Sequence, residues 1–438
     1  MWGVFCLCCC GTPVFADSPP AYDLATCIAL ALETHPGVQA AEVDVDIAEV
    51  QLAQARAARI LPKFDLTWIV GPSPEARGNA LVGDSDWQGL SVFTRTEATL
   101  VQPLYTFGKL ESAKVAAAAG VTLRQAGLQK AQEDLALQVA EAFYGLQLAN
   151  ELWELAQEAR EDISEARDFV EEKLEAEEGD YTYTDLARID RFVYDVEEQA
   201  HAAQKGRALA ISGLRLLLGL TETDSLVLAD RLRPVKVEIL PPETYREQSQ
   251  HRSDLAQLRA GIDARGALTR VAHSEYYPQV FLGAQFKYAY APNRDDQDSP
   301  FAKDDFNFKQ AGFIVGFKQS LSFGLTSAKV KKARLEHQKL RYQARLAQKG
   351  VALQVEKIYG TLREAQANLA AARKARRATR RWFISARDGF NAGLGEAKEM
   401  IDAVKEYGII RAKYHLAVFN FNRAWARLQR ATGNSILN

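Results

Sequence analysis

Two hydrophobic periodicities divide the chain, and they occur in the same order twice. Helical spacing predicts a short helix over 23–34, ended by His35-Pro36, and a second running to about residue 60, where Pro62 stops it. KFDLTWIV (63–70) then alternates, with Phe64, Leu66, Trp68 and Val70 on one side and Lys63, Asp65 and Thr67 on the other. VFTRTEATLV (92–101) alternates too, with Arg95, Glu97 and Thr99 on its polar side, so both segments read as strands. The Gly, Pro, Asn, Asp and Ser of residues 71–90 predict a loop between them. From Gly108 to about Leu174 there is no Pro, and Val139, Ala142, Leu146, Ala149, Trp153 and Ala156 form a heptad seam. At ~1.5 Å per residue that helix is on the order of 100 Å long, a rod and not a globular core. EEGDYTY (177–183) breaks it, and another helix runs from about residue 184 to Leu218.

After a linker over 220–250 with Pro234, Pro241 and Pro242, the order returns. A helix over 254–275 leads through Pro278 to a strand at 280–290, a polar loop, and a strand at 311–321. Phe323-Gly324 opens a long helix to about residue 391, with Ile358, Leu362, Ala365, Leu369 and Ala372 on its seam. A break at AGLGEAKE (392–399) precedes a last helix carrying Tyr414, Ala417, Phe421, Ala424 and Leu428. Pro62 matches Pro278, Phe107-Gly108 matches Phe323-Gly324, and both SAKV and ALQV recur. The chain therefore reads as an internal duplication, with repeats at 17–219 and 251–433, the linker at 220–250 and a tail at 434–438.

Four strands of about ten residues match the height of an outer-membrane β-barrel wall. They cannot close a barrel alone, and open edges facing lipid would leave N–H and C=O groups unpaired. The sheet must therefore close with strands from other chains; a half-buried soluble sheet is the alternative.

Composition narrows this further. Lys and Arg (54) balance Asp and Glu (56), so no global field points to nucleic acid or a polybasic membrane anchor. No stretch approaches the ~20 apolar residues of a spanning helix. MWGVFCLCCCGTPVFA (1–16) reads as a secretory signal lacking its positive n-region, so the true start is expected slightly upstream. A small buried helix is the alternative, and a weaker one is lipidation at Cys10, where Cys9 stands in place of Gly or Ala. Without that segment only Cys27 remains, which excludes an internal disulfide and a Cys-based metal site. The six His residues are scattered, and neither a nucleophile motif nor a Gly-rich phosphate loop is present. No catalytic, cofactor or metal residue is assigned, and an enzyme is not expected.

The order helix, LP, strand, loop, strand, FG, long helix, Gly turn, helix, twice over, resembles the TolC-like outer-membrane efflux proteins. ARAARILPKFDL (55–66), LVQPLYTFGK (100–109), FGLTSAKV, FNAGLGEAKEMIDA (390–403) and ARLQRATG (426–433) carry the resemblance, which covers residues 22–433. It implies an α+β membrane protein: a homotrimer whose chains each give four strands to one twelve-stranded barrel and their helices to a periplasmic coiled-coil tunnel. It implies a passive outer-membrane exit duct of a tripartite efflux or type I secretion system, fed through a periplasmic adaptor by an inner-membrane pump. A structural or adhesive coiled-coil rod without transport is the alternative.

On that resemblance the two helix breaks form the periplasmic entrance. A family carboxylate six residues after the first turn Gly corresponds to Asp185 after Gly179, and those six and nine after the second to Glu399 and Asp402 after Gly393. Three copies of each would ring a narrow pore with negative charge, favouring cations; the other reading is ordinary helix-end carboxylates. The family's closing Tyr and Arg correspond to Phe390 and Gly395, so Asp185 loses an expected Arg partner, and Lys398 is the substitute. Phe107, Gly108, Phe323 and Gly324 would mark the barrel-to-tunnel junction, Gly for its backbone freedom and Phe for the membrane–water boundary. The acidic run EEKLEAEEGD (171–180) and the basic run RKARRATRR (373–381) read first as solvated helix faces. More sharply, the acidic run steers a basic partner and the basic run pairs with acidic neighbours in the bundle.

Overall fold

The computed structural model describes residues 21–78, 83–177, 181–297, 301, 304–392 and 394–437. The signal segment 1–16, Gly179 and Gly393 lie outside the described residues. In chain order the elements are β1 (Ala21–Tyr22), α1 (Leu24–Thr34), α2 (Pro36–Ile60), β2 (Lys63–Gly78), β3 (Gly83–Tyr105), α3 (Lys109–Glu175) and α4 (Tyr183–Leu218). There follow β4 (Val227–Leu228), α5 (Pro242–Gln248), a 3-10 turn, α6 (Ser253–Ser274), β5 (Gln279–Tyr290), β6 (Phe308–Lys318), α7 (Leu325–Asn391) and α8 (Ala397–Thr432). The long helices match in pairs: α3 and α7 both have 67 residues, α4 and α8 both have 36. Among the described residues no helix is long and apolar enough to cross a membrane.

The chain forms two compact units, and α3 and α7 each contribute to both. The first combines residues 41–128 with 254–347. It holds an open four-stranded antiparallel sheet in the order β2-β3-β5-β6. Directly paired residues share a face of a pleated sheet. The register Phe64↔Leu100, Leu66↔Ala98, Ala98↔Phe286, Leu100↔Ala284, Leu282↔Val315 and Val280↔Phe317 therefore gathers most of the apolar residues of the four strands onto one face. The opposite face takes Lys63, Asp65, Arg95, Glu97, Gln285, Lys287 and Gln310.

The loop expected over 71–90 is mostly strand. β2 continues to Gly78 and β3 starts at Gly83, pairing as far as Gly78↔Gly83 with an irregularity between Ser73 and Glu75. Pro72 and Pro74 are tolerated because β2 is an edge strand and need not donate outward. The hairpin is buttressed by the connection after β5. Asn293 Nδ2 donates to the carbonyls of Ser73 (3.2 Å) and Gly89 (2.7 Å), and Asp295 accepts from Arg77 and from the Gly78 N–H, each at 3.0 Å.

The helices of this unit pack in the order α2–α3–α6–α7. Arg59–Glu111 (2.5 Å) and Arg124–Asp44 (3.3 Å) tie α2 to α3, and Arg265–Glu336 (2.8 Å) ties α6 to α7. Gly261 lets α6 nestle between its neighbours: a Cβ there would lie 3.3 Å from Leu340 and 3.5 Å from Leu123.

The second unit combines the described residues up to Ala40 with 129–253 and the chain from 348 onward. Its helices pack in the order α4–α3–α8–α7, through Arg160–Glu197 (2.6 Å), Arg411–Glu158 (2.5 Å) and the stacked rings of Phe383 and Tyr407 (5.2 Å). Val355, Leu362, Val418, Phe421, Trp425 and Leu428 form its main core with Leu232 and Tyr245. The linker over 220–250 is partly structured: β4 pairs in parallel with β1, and buried Asn422 clamps the chain beyond it. Its Oδ1 accepts from the Val235 N–H (3.0 Å) and its Nδ2 donates to the Arg233 carbonyl (2.8 Å).

Candidate entrance turns and sheet-to-helix junctions

In the second unit α4 begins with a complete capping box. The Asp185 N–H donates to Thr182 Oγ1 (3.3 Å), while Asp185 Oδ2 accepts from the Thr182 N–H (3.1 Å) and hydroxyl (2.7 Å). This satisfies amide donors that the first turn of a helix leaves without partners. Arg188, one turn along the same helix, lies 3.3 Å from Asp185 Oδ1, and the carboxylate is only 17% exposed. Asp185 therefore keeps an Arg partner, supplied by α4 itself. Lys398 is exposed and makes no ion pair among the described residues.

The α7–α8 turn is built differently. Glu396 occupies the N-cap without a side-chain cap bond, and the Leu394 N–H folds back onto the Gly389 carbonyl (2.9 Å). That backbone return explains Gly395, because a Cβ there would sit 3.0 Å from the Phe390 nitrogen and 3.1 Å from the Gly389 carbonyl carbon. No Arg side chain fits without moving backbone. Glu399 and Asp402 are exposed and have no ion-pair partner among the described residues.

Phe390 is 5% exposed and sits in a triangle of rings, 5.8 Å from Phe169 and 5.6 Å from Tyr181, which are 5.9 Å apart. All three contacts are edge-to-face, the geometry the ring quadrupole favours. Val170, Ile189, Met400 and Ile401 pack around the rings, so residues from α3, α4, α7 and α8 meet in one apolar plug. Burial pushes the Tyr181 phenol up. This plug was not anticipated from the sequence; the available signal was aromatic residues near both turns.

The charge runs divide as well. Arg167 binds Glu171 (2.7 Å) and Asp190 (2.8 Å), taking up part of the acidic run. In the basic run Arg376 lies over the Tyr414 ring at 4.0 Å, whereas Arg373, Lys374, Arg377, Arg380 and Arg381 find no carboxylate among the described residues. Within one chain, and among the described residues, that run makes no ion pair with the bundle's acids. Elsewhere in this unit, burial holds the His415 imidazole below its ordinary value against the opposing pull of Glu151.

In the first unit the two sheet-to-helix junctions share a backbone turn. The Lys109 N–H donates to the Thr106 carbonyl (3.1 Å) and the Leu325 N–H to the Ser322 carbonyl (3.2 Å). Gly108 and Gly324 adopt φ of +80° and +81°, left-handed values that a Cβ resists. The aromatic neighbours differ: Phe107 itself has φ +48°, stacks on Tyr277 (5.1 Å, 11°) and meets Tyr105 (4.7 Å), whereas Phe323 is 97% exposed.

Comparison with known proteins places the chain. The model of the outer membrane efflux protein family matches residues 27–220 and 244–434. No curated protein sequence matches significantly. Among solved structures, the open state of the Neisseria gonorrhoeae MtrE outer membrane channel superposes with a TM-score of 0.78 at 18% identity, over 94% of this chain and 89% of that one. The Campylobacter jejuni CmeC outer membrane channel gives 0.77 at 15% identity, over 94% and 85%. The outer membrane protein VceC of Vibrio cholerae gives 0.73 at 17%, over 94% and 96%. These likenesses extend along nearly the whole chain and agree with its open strands and paired long helices. The chain belongs to the outer membrane efflux protein family and is a protein of the outer membrane.

Proposed function

We propose that the protein is a passive exit duct: three copies close one twelve-stranded barrel in the outer membrane and one helical tunnel in the periplasm. The observation that carries this reading is the sheet. Phe64, Leu66, Trp68, Phe313, Val315 and Phe317 stand exposed on one of its faces, while among the described residues the outer edges of β6 and of β2 ahead of its bridge at Ala76 pair with no strand. Such a face suits lipid, but the edges cannot face lipid unless another strand pairs with them. Copies of the same sheet, β6 against the next β2, satisfy every edge and leave none open. The polar face, with Lys63, Asp65, Arg95 and Glu97, then lines the lumen.

The helix turns of the second unit form the entrance, and Glu399 and Asp402 from three copies ring it with charge that favours cations. Passage is driven from outside the chain, by an inner-membrane pump acting through a periplasmic adaptor in a tripartite efflux or type I secretion system. Planar-bilayer recording of the purified protein tests the duct. The expected result is a cation-selective conductance whose selectivity falls when Glu399→Ala and Asp402→Ala are combined. No conductance under any condition, including in variants that loosen the entrance plug, would favour a structural rod and sink the duct. Unchanged selectivity in the double variant would sink only the ring.

A further inference from the structure

His415 of α8 is a titratable group inside the second unit for which a passive duct has no use. Its imidazole faces Glu151 of α3, and the two side chains are only 13% and 12% exposed. Nδ1 stands 3.7 Å from Glu151 Oε2, beyond hydrogen-bond reach, and bonds to nothing else among the described residues.

The Glu151 carboxylate is already taken. Arg231, from the linker between α4 and α5, bonds both of its oxygens (3.0 and 3.3 Å) and also reaches Glu154. The charged groups around His415 come from every element packed there: Glu151 from α3, Arg231 from the linker, Arg376 from α7, and Arg411 one turn earlier on α8. Arg411 is paired with Glu158 of α3 (2.5 Å), and Arg376 lies over the Tyr414 ring. These guanidiniums balance Glu151, Glu154 and Glu158 while the imidazole is neutral. A proton on His415 adds a further positive charge where little water reaches, and a buried charge is stable only when it is paired.

The linker is fastened at the same place. Gln147, one turn before Glu151, donates from Nε2 to the Asp230 carbonyl (2.9 Å). Asn422, two turns beyond His415, holds Arg233 and Val235. Between Asp230 and Val235 the linker therefore passes from α3 to α8, and Glu151 both holds Arg231 and faces His415.

We propose that His415 is an acid-sensitive latch: neutral, it lets α3, α8 and the linker pack together, and protonated, it draws Glu151 away from Arg231 and loosens the linker and the middle of α8. In the packed state burial, joined by Arg411, Arg376 and Arg231, holds the imidazole below its ordinary value against the pull of Glu151. In the loosened state it returns toward about 6.5. The packed state is thus fully favoured above that value and loses ground as pH falls below it, because the loosened state takes up the proton more readily. Every group in the latch belongs to one chain, so it stands or falls apart from the ring and the duct.

Hydrogen exchange of the full chain in detergent at pH 7.5 and 5.5, corrected for the intrinsic pH dependence of exchange, tests the latch. Protection is expected to fall several-fold, up to about tenfold, over residues 229–237 and 411–419, and to hold in β5 and α6. His415→Gln and His415→Phe cannot titrate, and each should keep at pH 5.5 the protection it has at pH 7.5. Arg231→Gln leaves Glu151 free to pair with the imidazolium, so acid should no longer loosen α8 in that variant. A loss that persists in either folded His415 variant overturns the latch, as does an equal loss along the whole chain or no loss at all in the wild type. Acid loosening of α8 in Arg231→Gln as large as in the wild type overturns the competition for Glu151.

Discussion

At the α3–α4 turn a carboxylate closes its own helix, with Asp185 bonded to Thr182 and paired with Arg188. At the α7–α8 turn Glu396 caps nothing with its side chain, and Glu399 and Asp402 remain exposed. The turns hold equivalent places in a duplicated sequence, yet one has used its acid locally and the other presents two acids to whatever lies outside. A carboxylate already held by a backbone N–H, a hydroxyl and an Arg offers less to a passing ion than one with no fixed partner. Repeat-level equivalence of position is therefore not equivalence of role. What the turns share is the plug of Phe169, Tyr181 and Phe390, which joins them.

The largest expected effect comes from removing what they share. Phe390→Ala deletes a buried ring that touches two others, a change costing about 3–5 kcal/mol where surrounding groups cannot collapse. Hydrogen exchange should rise at the ends of all four helices, from Ile163 to Val196 and around Met400. If protection fell only in α7, the turns would be independent and the comparison would fail at its base.

Asp185→Ala should be smaller, about 0.5–2 kcal/mol for a lost cap, and confined to the first turns of α4. It should leave ion selectivity at the wild-type value, whereas the Glu399 and Asp402 variant is expected to lower it. A selectivity change of equal size in both variants would show that Asp185 faces the conduit despite its cap.

Much of this architecture was legible in the sequence, because both periodicities are strong and each occurs twice. The helix ends fall within a residue or two of where Pro62, Gly108 and Leu218 suggest. The alternation in KFDLTWIV and VFTRTEATLV predicted which residues share a face, and the register agrees. What could not be read depends on contacts distant in sequence. The extension of β2 and β3 runs against a Gly- and Pro-rich composition and is held by Asn293 and Asp295, some two hundred residues away. Gly395 looked like a missing Arg, and only the fold shows that any side chain there would press on the backbone of Gly389 and Phe390. Asp185 illustrates a different limit: the same residue fits a capping box and a pore ring, and spacing alone cannot separate them.

The smallest effect sharpens the same lesson at the sheet-to-helix junctions, where Phe107-Gly108 and Phe323-Gly324 repeat a sequence and a turn but not an environment. Phe107 is stacked on Tyr277 and held at a φ that disfavours a side chain, a local cost of roughly 1–2 kcal/mol that its ring contacts offset. Phe323 has no ring contact among the described residues and is almost fully exposed. Phe107→Ala should therefore cost about 0.5–1.5 kcal/mol in the detergent-solubilised protein, and Phe323→Ala nearly nothing. In a bilayer an aromatic ring at the membrane–water boundary gains from its position there, so Phe323→Ala should lose stability only after reconstitution. Equal losses for the two variants in detergent would mean that the junctions are packed alike. No added loss for Phe323→Ala in lipid would place that ring away from the boundary.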